Sequence, residues 1–141
     1  MESKNNHRRL PAPQAQAFVV CREIREQTDP YEVVLLGPKC HVPIPTFPAE
    51  IELSVYAHIT GGHGSYDIEI TLRDAEGDSV WSWTPPKPLE HPDPLEPQQL
   101  LLHGLDIFVP RPGRYDLALL AGGEEIGRQP MIFGAREMLE E

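Results

Sequence analysis

The clearest signal along the chain is a two-residue rhythm. Ile51, Leu53, Val55, Ala57 and Ile59 alternate with Glu52, Ser54, Tyr56, His58 and Thr60. An extended strand puts successive side chains on opposite faces, so this segment predicts a strand with one dry face and one wet face. The rhythm returns at Tyr66, Ile68, Ile70 and Leu72, interleaved with Asp67, Glu69, Thr71 and Arg73. Gly61-Gly62-His63-Gly64 reads as the loop between the two. Asp74-Ala75-Glu76-Gly77-Asp78 reads as a hairpin turn, with Gly77 supplying the positive φ that such turns need. Val80 to Thr84 is the returning strand and carries Trp81 and Trp83 on one face.

Weaker versions of the pattern fill the rest. Ala17 to Glu26 predicts a first strand, Asp29-Pro30 a turn, and Tyr31 to Leu36 a second strand stopped by Gly37-Pro38. His41 to Ile44 is a short piece among Pro43, Pro45 and Pro48, which suit a sheet edge or a crossover. Pro85 to Pro97 is expected to be an irregular connection. Gln98 to Val109 predicts a strand with a bend at Gly104. Pro110-Arg111-Pro112-Gly113 reads as a tight turn, and Tyr115 to Ala121 as a strand ending in the hairpin pair Gly122-Gly123. Glu124 to Phe133 is the last strand. The expected architecture is all-β: an antiparallel immunoglobulin-like β-sandwich of about eight strands. It forms one domain over 17–134, after a disordered or loosely docked arm at 1–16 and before a tail at 135–141 that forms one helical turn or frays.

The run from Pro110 to Phe133, with Thr46-Phe47-Pro48-Ala49 and Leu72-Arg73-Asp74-Ala75-Glu76-Gly77, resembles a group of small bacterial domains of unknown function. The resemblance covers most of residues 17–133 and implies an immunoglobulin-like β-sandwich. It brings no catalytic residues to carry over. Independently of it, Tyr115 stands two residues after Gly113, placed to bury its ring while its hydroxyl finds a backbone acceptor, which is the logic of a tyrosine corner.

Composition narrows the function. The 141 residues include 16 prolines, a density that excludes long helices and coiled coils. Twenty-two acids against 12 Lys and Arg leave a net charge of −10, which repels phosphate backbones and anionic lipid. Apart from His7-Arg8-Arg9 the basic residues read as scattered, so no nucleic-acid partner is expected. No apolar run approaches the ~20 residues of a membrane helix. No signal-like segment precedes Gln16, so the expected location is cytoplasmic. Two cysteines, Cys21 and Cys40, do not make a disulfide scaffold and read as buried free thiols.

Candidate chemistry is sparse. His58 and His63 lack the spacing of a metal motif, and His41, His91 and His103 add none, so the histidines read as ordinary surface imidazoles and no metal is expected. Asp74, Glu76 and Asp78 resemble a calcium loop but lack its closing glutamate. Gly62-His63-Gly64-Ser65 is no nucleophile elbow, and no phosphate-cradling glycine loop opens a helix. The reading is a non-enzymatic binding or assembly module without a cofactor, acting through protein–protein contacts as an adaptor or an oligomer subunit. The alternative is a small-ligand or carbohydrate binder using exposed aromatics. Contact candidates are Trp81 and Trp83, with Tyr56 and His58 on the wet face of their strand. A metal-dependent hydrolase built on His58 and His63 has least in its favour.

Overall fold

The computed structural model describes residues 12–29 and 32–134. The expected tail at 135–141 and residues 1–11 of the expected arm lie outside the described residues. The chain forms β1 (Gln14–Glu26), β2 (Val33–Pro38), β3 (His41–Pro43), β4 (Ala49–Thr60), β5 (Gly64–Tyr66) and β6 (Ile68–Arg73). It continues with β7 (Ser79–Trp83), β8 (Leu89–His91), β9 (Gln98–Val109), β10 (Gly113–Ala121) and β11 (Glu124–Gly134). A four-stranded sheet has the order β2-β1-β4-β9, a five-stranded sheet the order β3-β11-β10-β6-β7, and β5 pairs with β8 alone. Among the described residues no helix is long and apolar enough to cross a membrane.

The all-β, antiparallel reading holds, with four corrections. Among the described residues there are eleven strands rather than about eight. The proline-rich segment is not wholly irregular, because Leu89–His91 pairs with Gly64–Tyr66 and splits the expected 66–73 strand at Asp67. One pair is parallel: β3 lies beside the end of β11, with His41 opposite Ile132. Strand β1 also starts at Gln14, three residues into the expected arm.

The alternating segments supply the two facing walls. Leu53, Val55, Ala57 and Ile59 of β4 join Leu102, Leu105, Ile107 and Val109 of β9 on one side. Ile68, Ile70 and Leu72 of β6 meet them with Leu117 and Leu119 of β10 and Met131 and Phe133 of β11. Each such side chain contributes about 1.5–3 kcal/mol when fully buried. The bend at Gly104 is a β-bulge. Leu53 faces Leu105 and Val55 faces Leu102, so His103 and Gly104 together oppose Ser54. Gly104 adopts φ +62° and donates its N–H to the Ser54 hydroxyl at 3.0 Å. That extra residue moves Leu105, Ile107 and Val109 onto the same face as Leu102, which strict alternation would forbid.

Two polar anchors fix the chain between strands. The Tyr115 ring is buried edge-on to Phe133, with centroids 5.5 Å apart, and its hydroxyl donates to the Arg111 carbonyl at 2.6 Å. His91, expected at the surface, is fully buried. Its Nε2 lies 2.9 Å from the Glu96 carbonyl, which can only accept, so Nε2 carries the proton and Nδ1 is a bare acceptor. Nδ1 has no hydrogen-bond partner among the described residues and packs against Gly62, where an added Cβ would come within 2.7 Å of it.

Both anchors give measurable consequences. Tyr115→Phe keeps the ring and strands the Arg111 carbonyl, so urea unfolding should show a loss of about 1–2 kcal/mol; an unchanged midpoint would mean the hydroxyl is not structural. Gly62→Ala should lower the melting temperature through overpacking that costs about 1–3 kcal/mol, since the His91 ring has nowhere to retreat.

Candidate functional site: an arginine-lined depression

The outer face of the five-stranded sheet holds a depression of about 780 Å³. Register builds it. Arg73 of β6, Asp116 of β10 and Pro130 of β11 stand in one cross-strand row, and Arg114, Ile132 and His41 stand in the next. Arg128 of β11 lies opposite Ala118, one row further along. Residues directly opposite share a face, and diagonal neighbours sit about 7–8 Å apart. Arginines that read as scattered along the sequence are therefore gathered in space. Three arginines and two aspartates, Asp74 and Asp116, line the depression, and Glu125 bonds two of those arginines, so positive charge is concentrated at Arg114 on a chain of net charge −10.

These arginines are not equivalent. Arg73 donates to one Glu125 oxygen at 2.7 Å and Arg128 to the other at 2.8 Å, while Arg128 also stands 3.9 Å from Asp116. The hydrogen bond from Arg128, then that from Arg73, holds the Glu125 carboxyl below its ordinary pKa. Arg111 reaches Asp74 at 3.1 Å. Asp74 also accepts from the amides of Glu76 and Asp78, at 3.0 and 2.9 Å. The three acids of the 74–78 hairpin thus form a turn built around Asp74, and Gly77 has the expected positive φ of 90°. Arg114 is exposed and has no ion pair among the described residues.

The residues singled out by sequence lie elsewhere. Trp81 faces Leu72 and Trp83 faces Ile70 across β6 and β7, so both rings sit on the core side, half-buried at the sheet margin. Tyr56 stands between Val19 and Leu101, and His58 between Ala17 and Gln99, half-buried on the outer face of the four-stranded sheet. The structure does not bring the four together. His63 follows β4 and is exposed, and among the described residues no three His, Cys, Asp or Glu side chains group to hold a metal. Cys21 is buried, with its thiol pKa pushed up by desolvation, but Cys40 is exposed beside the depression, against the expectation of two buried thiols.

Sequence reasoning missed Arg73, Arg114 and Arg128. The alternation already turned Arg73 and Arg114 outward, but only the order β11-β10-β6 makes them neighbours. No protein-family model matches the chain, and no curated protein shows significant similarity to it.

The Glu125 clamp sets a pH dependence. The folded-state pKa of Glu125 lies below the unfolded one, so its contribution is complete above the unfolded value and disappears as pH falls through the folded value. Glu125→Gln should cost less than about 1 kcal/mol at neutral pH. The variant should also lose less stability than the parent on acidification. Parallel acid-limb curves would remove the clamp from the account.

Proposed function

We propose that the chain is a non-enzymatic binding module acting through protein–protein contact, and that the depression on the five-stranded sheet receives an acidic segment of the partner. The observation that carries this reading is Arg114: an exposed guanidinium with no carboxylate of its own among the described residues, flanked by Ile132 and Pro130 and by two further arginines. A guanidinium pairs with a carboxylate through two parallel hydrogen bonds, and arginine is enriched at interface hot spots. Apolar walls beside it favour a segment that mixes acids with an aliphatic side chain.

The finer fold reading is proposed on the same footing. Two facing antiparallel sheets and the Tyr115–Arg111 hydrogen bond support an immunoglobulin-like sandwich, in keeping with the resemblance to small bacterial domains. A cytoplasmic location, with no nucleic-acid or membrane partner, fits the negative net charge. The carbohydrate alternative has less support, because Trp81 and Trp83 turn toward the core instead of forming an open stacking platform.

A short fluorescein-labelled peptide with a central leucine flanked by glutamates serves as probe. Fluorescence anisotropy should show saturable binding that weakens as salt is added. Arg114→Glu should reduce affinity about tenfold or more, equivalent to ~1.4 kcal/mol. Binding that ignores both salt and Arg114 would refute the assignment.

A further inference from the structure

Leu95 is 91% exposed, far more than any other large apolar side chain among the described residues. It is held there by construction. The Asp93 carboxylate accepts from the Leu95 amide at 3.0 Å, and the Asp93 carbonyl accepts from the Glu96 amide at 3.0 Å. The Glu96 carbonyl in turn receives the buried His91 Nε2–H, tying the turn to β8. Pro92, Pro94 and Pro97 fix three φ angles along the way. The result is a braced turn that presents one leucine between the exposed acids Asp93 and Glu96.

The depression is the complement of that turn in both respects. Arg114 matches one carboxylate; Arg128, whose Nε is held by Glu125, keeps its exposed terminal nitrogens for the other; and Pro130 and Ile132 offer apolar wall for the leucine. The turn cannot reach its own depression. It leads directly into Gln98, which pairs with Ile59 at one end of the four-stranded sheet. Strand β9 then runs its whole length to Val109, and four residues later Gly113 opens β10 at the arginine end. Twelve residues of strand separate the two by about 35–40 Å.

We infer that the Pro92–Pro97 turn of one molecule docks in the arginine-lined depression of a second copy, Leu95 against Ile132 and Asp93 and Glu96 against Arg114 and Arg128. The inference rests on the proposed reading of the depression as a site for acidic segments, and it names the segment. Donor and acceptor surfaces differ and lie at opposite ends, so the contact is heterologous and propagates head to tail. Leu95 is almost wholly exposed, so its replacement leaves the monomer intact.

Sedimentation velocity over a concentration series tests this, with Leu95→Ala and Arg114→Glu beside the parent. The parent should form dimers and larger species, fewer at high salt, and each variant alone should stay monomeric. Leu95→Ala retains a working depression and Arg114→Glu a working turn. An equimolar mixture of the two should therefore form a dimer and nothing larger. A monomeric parent that still binds the leucine–glutamate probe overturns the self-docking and leaves the depression as a site for another protein. A monomeric parent that ignores the probe overturns both readings. Association unaffected by either variant places the contact elsewhere and overturns the inference.

Discussion

Two sheets, each with one apolar face, can remove those faces from water only by packing them against each other. Everything else in this molecule follows from that constraint. It makes β4, β6, β9 and β10 alternate, and it leaves their outward positions mostly to polar and charged residues. Where the alternation would fail, the backbone is corrected instead of the core: the bulge at His103–Gly104 spends one residue to keep Leu102 and Leu105 on the same side. The Tyr115 hydroxyl and the His91 ring do comparable work at the ends, fixing loops to the strands that carry them.

The core was legible because its rule is local. A strand shows its buried face in four or five consecutive alternate residues, and the 51–60 and 66–73 segments do so. Turn chemistry was equally local, as at Gly77, Gly104 and Gly122-Gly123, all of which take positive φ. What stayed hidden depends on which strands become neighbours. Arg73, Arg114 and Arg128 are 14 to 55 residues apart in sequence and adjacent only through the order β11-β10-β6. His91 carries no sequence mark of burial, since its surroundings are prolines and acids; it is buried because β8 pairs with β5 and brings its ring against Gly62. Cys40 resembles Cys21 in its local setting, yet it precedes an edge strand and stays exposed.

The physical picture of function is a rigid platform with chemistry on its outside. Backbone register sets the spacing of the arginines, and Glu125 restrains two of them while leaving Arg114 open. In the proposed reading, arginines held by register lose little side-chain entropy on binding, which favours an acidic partner. The other end of the molecule carries a braced acidic turn with an exposed leucine, the segment proposed to dock there.

The most direct test of the central claim is a map of where an acidic ligand lands. Backbone amide resonances, the guanidinium Nε–H signals of arginine and the methyl signals of isoleucine, leucine and valine can be followed by NMR as the leucine–glutamate peptide is added. The account predicts saturable shifts at Arg114, Arg128 and Ile132 with the four-stranded sheet undisturbed. Shifts centred instead on Tyr56, Leu101 and Val19 would contradict it and move the binding surface to the other side of the molecule.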